Sequence, residues 1–117
     1  MVTPTGANMK LNLFVLRCKD IEITKRFYEK LGFEFIEEQH AKGPVHYSCD
    51  VGGMLLELYP LKGELPLEQS RLGFDVELRY MEAMQNEILS SYEFNGIEVM
   101  VVQDPDGRKI ELREDIK

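Results

Sequence analysis

The chain has few cysteines and no long apolar stretch, and these shortages exclude several classes of protein. Only two cysteines occur in 117 residues, and neither forms the CxxC or mixed Cys/His spacing of a zinc or redox site. Cys18 and Cys49 are therefore expected to be reduced, partly buried thiols. No apolar run approaches the length of a membrane span, and the first ten residues lack the apolar centre of a signal peptide. We expect a cytoplasmic protein with no membrane partner.

Positive charge is also scarce, which argues against nucleic acid as a partner. The sequence has 14 Lys and Arg residues against 21 Asp and Glu residues, a net charge of −7. Nucleic-acid-binding proteins need clustered basic side chains to displace the counterions of the phosphate backbone. The acidic balance is compatible instead with a cationic or amphipathic ligand, without selecting one.

The order of predicted segments indicates one domain, residues 1–117, built from two similar halves. In the first half, residues 11–18 alternate and are rich in β-forming residues, which predicts a strand. A helix is predicted from its N-cap Asp20 to Gly32, and three short strands follow. The first unit, about 10–60, thus has the order βαβββ.

The second unit, about 71–115, repeats strand, helix and strands after a connector over 61–70 that Gly and Pro interrupt. Its helix is predicted over 79–92. Apolar residues recur there at helical spacing, namely Met81, Met84, Ile88 and Leu89. Two strands then flank an Asp-Pro-Asp-Gly turn.

Three stretches carry a resemblance to a known family. They are VLRCKDIEITKRFYEKLGFEF (15–35), LLELYP (55–60) and DPDGRKIEL (104–112). In this order they resemble the vicinal oxygen chelate superfamily, which includes lactoylglutathione lyase (glyoxalase I), extradiol dioxygenases and bleomycin-resistance proteins. The resemblance implies an α+β fold in which two βαβββ units form a cup-shaped mixed sheet with the helices on its convex face. It also implies a homodimer, in which the two units pair within one chain or are exchanged with the partner.

Compared with this family, the second unit is abbreviated, because only Glu-Phe-Asn-Gly clearly remains between its helix and the strand that begins at Ile97. A further short strand and loop would normally stand there. We expect the abbreviation to open one side of the cup.

The resemblance also implies where a metal would be held, and two of the four positions are unsuitable. The four ligand positions of the metal-dependent members fall on Leu13, Glu57, Arg71 and Glu111. Leu13 has no donor atom, and Arg71 brings a permanent positive charge. We therefore expect no metal and no cofactor, with the Arg71 guanidinium pairing with Glu57 and Glu111 in place of the ion.

Strand alternation identifies a predicted cleft. It sends Ile110 and Leu112 to the core and Glu111 to the cup. The predicted cleft residues are Leu13, Val15, Leu55, Glu57, Tyr59, Arg71, Asp75 and Glu111. No catalytic residue is assigned, although Glu57 and Glu111 are candidates for a paired acid and base. His46 is expected to be a solvated or hydrogen-bonded strand residue, and His40 is given no role.

Three functions remain open at this point. The first is a metal-free protein that binds a small organic molecule, such as a cationic or amphipathic one, in the cup without catalysis. The second is a lyase, isomerase or dioxygenase-like enzyme that uses a displaced metal or the two glutamates. The third is an interaction module with a vestigial cleft.

Overall fold

Eight strands and two helices make up the part of the chain that the structure describes. The structure is a computed structural model, and it describes residues 4–6, 10–63 and 70–115. The first unit comprises β1 (Leu13–Cys18), α1 (Ile21–Glu29), β2 (Ile36–Glu38), β3 (His46–Val51) and β4 (Met54–Pro60). The second comprises β5 (Arg71–Val76), α2 (Leu78–Ala83), β6 (Ser90–Phe94), β7 (Ile97–Gln103) and β8 (Lys109–Glu114). The predicted α+β fold with two βαβββ units is confirmed, while residues 64–69 of the predicted connector lie outside the described residues.

Helix α1 begins and ends where its sequence predicts. The Asp20 carboxylate accepts hydrogen bonds from the backbone N–H groups of Glu22 (2.9 Å) and Ile23 (3.3 Å), which caps the first turn. Beyond the last turn, Gly32 has a φ of +101°, in the region that favours glycine. Between these ends, the buried side chain of Tyr28 anchors the helix in the core.

Each unit forms its own four-stranded sheet, and the two sheets have the same topology. The strand orders are β1-β4-β3-β2 and β5-β8-β7-β6. β1 runs parallel to β4 and β5 parallel to β8, whereas the other neighbours are antiparallel. One face of each sheet is buried in a shared hydrophobic core that also contains residues of both helices. The opposite face of each sheet, on the side away from this core, is the face predicted to line the cup.

Of the two arrangements that the sequence left open, the described residues do not show the two units paired edge to edge within one chain. β1 and β5 are both edge strands, and no backbone pairing joins the two sheets in the described ranges. The units instead pack through their core sides, which buries the apolar faces of both sheets together. Residues predicted to meet across one cup are thereby divided between two separate sheets.

The turn between β7 and β8 joins the two units through buried polar groups. The Tyr28 hydroxyl donates to Asp104 Oδ2 and the Thr24 hydroxyl donates to Asp106 Oδ2, both at 2.7 Å. Arg108 donates to the same Asp104 oxygen at 3.0 Å. Both carboxylates are buried, so these bonds supply the partners that buried charges require. The turn predicted from Pro and Gly is thus also the joint between the units.

The second helix is shorter than predicted, and the strand expected to be missing is present. α2 ends at Ala83 and is followed by a short 3-10 turn, Gln85–Glu87, instead of continuing to residue 92. The next residues pair with β7 as strand β6, with Tyr92 opposite Val99. Leu89 was counted in the helical pattern, but its side chain is exposed and does not pack in the core. Strand pairing therefore outweighs the helical pattern here. The abbreviation of the second unit therefore falls on its helix.

Both cysteines are free thiols that are at least partly buried, as expected. Cys18 is buried, Cys49 is half-buried, and neither is in a disulfide. Burial raises the pKa of the Cys18 thiol to about 12, so it stays protonated at neutral pH. Neither helix among the described residues has the length and apolar character needed to cross a lipid bilayer.

Candidate functional site

The outward face of the first sheet brings together one group of predicted cleft residues. Register places Val15 opposite Glu57, Ser48 opposite Glu57, and Glu38 opposite His46. Directly paired residues of neighbouring strands point to the same side of a sheet. The first cup face therefore includes Leu13, Val15, Glu38, His46, Ser48, Leu55, Glu57 and Tyr59.

His46 is buried in this face, although it was predicted to be only a solvated or hydrogen-bonded strand residue. Its side chain is 1% exposed, and its ring stacks on Tyr59 with 4.2 Å between ring centroids. Nδ1 lies 3.3 Å from the carbonyl oxygen of Pro44. Because a carbonyl only accepts hydrogen bonds, this contact assigns the proton to Nδ1 and the lone pair to Nε2 in the neutral ring.

The Nε2 atom of His46 faces two carboxylates. It lies 3.6 Å from Glu38 Oε1 and 3.6 Å from Glu57 Oε2. It has no hydrogen-bond partner among the described residues. The Ser48 hydroxyl donates to Glu38 Oε1 at 2.7 Å and so orients that carboxylate.

A second imidazole approaches the same place. The rings of His40 and His46 have centroids 5.1 Å apart. Donor atoms of Glu38, His40 and His46 all lie within 4.8 Å of one another. Sequence reasoning missed this group because it depends on the register between β2 and β3. The available signal was that Glu38 and His40 are two residues apart and that the chain returns through His46 in the next strand of the hairpin.

The outward face of the second sheet holds the other predicted cleft residues around Glu111. The Glu111 carboxylate accepts hydrogen bonds from the Tyr92 hydroxyl (2.7 Å) and Arg71 Nη1 (2.8 Å). These two donors, Tyr92 first, hold the pKa of Glu111 below its ordinary value. Arg71 thus pairs with Glu111 as predicted, but among the described residues it makes no ion pair with Glu57, because the two lie in different sheets.

A cavity of about 370 Å³ lies on this second cup face. It is lined by Gly73, Phe74, Asp75, Tyr92, Phe94, Val99, Glu111 and Arg113. Its volume is within the range of small-molecule sites. Asp75 is held by Arg113 through two hydrogen bonds of 2.8 and 3.2 Å, so the charged groups of the wall are already paired.

The four positions that correspond to a family metal site do not fit a metal. Leu13 and Glu57 lie in the first sheet, and Arg71 and Glu111 in the second. Leu13 offers no donor atom, and the Arg71 guanidinium occupies an oxygen of Glu111, the other family position in the second sheet. The remaining donors are one glutamate from each sheet, which is too few to hold a divalent ion.

Comparison with solved structures identifies proteins with the same fold. A glyoxalase/dioxygenase from Nostoc punctiforme aligns with a TM-score of 0.71 and 21% identity, covering 100% of this chain and 98% of that one. A glyoxalase family protein from Enterococcus faecalis aligns with a TM-score of 0.64 and 27% identity over 90% and 97% of the two chains. VPC_CASS1, from the mobile metagenome of V. Pseudocholerae, gives 0.64 and 24% over 100% of both chains. Neither a scan against protein-family models nor a search of curated proteins finds a match.

Proposed function

On the premise that the chain has the vicinal oxygen chelate fold, we propose that it binds a small organic molecule in a cup completed by a second copy of itself, without catalysing a reaction. The observation that carries this proposal is the second cup face. It combines a ligand-sized cavity with a glutamate whose charge Arg71 already neutralises. A ligand can be held there without an ion at the family's four positions.

The lining of this cavity favours a cationic or amphipathic ligand. Tyr92 and Phe94 are 44% and 60% exposed and present aromatic faces that attract cations as well as apolar groups. Asp75 and Glu111 beside them are already paired with Arg113 and Arg71, so the attraction for positive charge comes from these aromatic faces and from the net charge of −7 that the whole chain carries. These features together attract positive charge and offer an apolar surface for the rest of the molecule.

We propose a homodimer because the single chain leaves apolar side chains and strand edges uncovered. On the first cup face, Leu13 and Leu55 are 45% and 39% exposed. The edge strands β1 and β5 each leave one row of backbone groups unpaired. If β5 of one copy lies beside β1 of the other, a two-fold axis repeats the same contact, so that all four edges are paired. Each cup then combines the first cup face of one copy with the second cup face of the other. Sedimentation of the full chain checks this arrangement, and a monomer at micromolar concentration would contradict it.

A thermal-shift screen of cationic amphipathic molecules and neutral metabolites tests the ligand. A molecule that binds only the native state stabilises it by about 2.7 kcal/mol at 100 times its Kd. Gly73→Val narrows the cavity from its strand: the nearest atom to an added Cβ is 3.9 Å away, so the variant should still fold. We expect this variant to lose the ligand-induced shift. Ser91→Val introduces the same side chain on the opposite face of the second sheet. This control variant should keep the ligand-induced shift.

The catalytic alternative has one observation in its favour, the proximity of His46 and Glu57 at 3.6 Å. An imidazole beside a carboxylate is a common acid–base pair. Mass spectrometry of each screening hit after prolonged incubation separates the two functions. Recovery of unchanged ligand supports binding, whereas a new product that disappears in Glu57→Gln supports catalysis.

A further inference from the structure

We infer that Glu38, His40 and His46 form a binding site for a transition-metal ion such as Zn²⁺ on the first cup face. Three observations support the site: the donor atoms converge, a buried ring nitrogen has no hydrogen-bond partner among the described residues, and the tautomer of His46 is fixed. The site differs from the four family positions, and it revises the sequence-based expectation that the chain holds no metal. It goes beyond the proposed ligand binding and stands independently of it.

The spacing of the donor atoms suits a small ion. Ligand atoms 2.0–2.1 Å from a tetrahedral zinc ion lie about 3.3–3.4 Å from one another. His46 Nε2 is 3.6 Å from Glu38 Oε1, and a donor atom of His40 lies within 4.8 Å of both residues. Small side-chain rotations therefore suffice to close the three donors around one ion. An imidazole pair with a carboxylate is a donor set that zinc commonly takes.

The surroundings of His46 prepare it as a ligand. The contact from Nδ1 to the Pro44 carbonyl directs the Nε2 lone pair toward Glu38, which is how metal-bound histidines are usually oriented. Stacking on Tyr59 fixes the plane of the ring. Ser48 holds the Glu38 carboxylate in position at 2.7 Å. Two of the three donors, His46 and Glu38, are thus oriented before any ion binds, which limits the entropy lost on binding.

The local charge favours a cation at this point. The carboxylates of Glu38 and Glu57 both face the Nε2 atom at 3.6 Å, and a buried lone pair between two negative groups is unfavourable. A metal ion between these donors relieves the repulsion. The imidazole of His40, whose ring centroid is 5.1 Å from that of His46, adds a second nitrogen donor for the same ion.

Metal titration of the full chain without an added histidine tag tests the inference. We expect one Zn²⁺ per chain, a raised Tm, and visible absorption bands of tetrahedral geometry when Co²⁺ is bound in its place. His40→Ala and Glu38→Gln should each lower the Zn²⁺ affinity at least tenfold and weaken the Co²⁺ bands. Both side chains lie at or near the surface, so these variants should fold, unlike variants of the buried His46.

Two control variants make the result specific. Glu37→Gln removes the same charge from the next residue, which is exposed and points to the other side of β2; it should bind Zn²⁺ like the original chain. Glu93→Gln, at an exposed position of β6 in the second unit, should also leave the affinity unchanged. Absence of stoichiometric binding, equal binding by His40→Ala and the original chain, or loss of binding in Glu93→Gln would each overturn the site. A negative ligand screen would leave it standing, since the titration needs no organic ligand.

Discussion

Replacing Tyr28 with phenylalanine removes one hydroxyl from the joint between the two units. That hydroxyl donates to the buried Asp104 carboxylate at 2.7 Å across 76 residues of sequence. The aromatic ring, which packs against Phe27 and Phe33, stays in place in Tyr28→Phe. The change therefore isolates one hydrogen bond to a charged acceptor from the packing around it.

A buried hydrogen bond to a charged group contributes about 1.5–3 kcal/mol. Asp104 keeps its bonds to the Arg108 side chain and to the backbone N–H groups of Asp106 and Arg108, so the carboxylate is not left without partners. We therefore expect Tyr28→Phe to lower the free energy of unfolding by about 1.5–3 kcal/mol. At 117 residues, the entropy of unfolding converts the loss to a Tm lower by roughly 6–12 °C.

Urea denaturation followed by circular dichroism measures this loss, at one protein concentration for all variants. Tyr80→Phe is the matched control, because the Tyr80 hydroxyl only accepts a bond from Arg79 at the surface; it should change stability by less than about 0.5 kcal/mol. A Tyr28→Phe loss as small as that of the control would refute the back-to-back joint between units. With that joint refuted, the argument that the cup needs a second chain would lose its structural basis.

Two further outcomes test local features of the fold and of the second cup face. Gly32→Ala should destabilise the protein by more than about 1 kcal/mol, because Gly32 has a φ of +101° and an added Cβ would lie 2.7 Å from Tyr80 Cε2. Gly52→Ala is the control: Gly52 also has a positive φ, but an added Cβ there meets open space, so this variant should lose less stability. Equal losses of stability in urea denaturation would contradict the steric argument. Tyr92→Phe should raise the pKa of Glu111 toward its ordinary value, since the hydroxyl is the largest cause of its lowering. The pKa of Glu111 is lower in the folded than in the unfolded state, so the stability that it contributes is present above the unfolded pKa and lost as pH falls through the folded pKa. A ¹³C NMR titration of the Glu111 carboxyl group should show its pKa raised in Tyr92→Phe. An unchanged titration midpoint would contradict the role given to the Tyr92 hydroxyl.

Local signals in the sequence predicted most of the elements. The Asp20 cap and Gly32 define α1 because capping and left-handed backbone depend on single residues at fixed positions. Strand alternation correctly divided Ile110 and Leu112, both fully buried, from Glu111. Strand β6 was missed because Met81, Met84 and Ile88 continue a helical spacing, and its pairing with β7 is a tertiary preference.

The arrangement of the site was less predictable, because it depends on contacts between distant segments. Asp104 and Asp106 read as turn residues, yet they are the buried acceptors that fix one unit against the other. A single histidine in a strand carries little information by itself. Only the register that sets His46 opposite Glu38, and β4 beside β3, reveals that two carboxylates face one ring nitrogen.

The two glutamates at the family ligand positions have different partners, and this difference separates the two halves of the proposed cup. Glu111 is neutralised inside its own sheet by Arg71, a charge that cannot dissociate. Glu57 has no arginine or lysine ion pair in the described part of the chain and faces His46. In the proposed dimer, a fixed cation beside Glu111 would stand in place of an ion between the halves. The other half, with two histidines and Glu38, is the place where we propose that an ion binds.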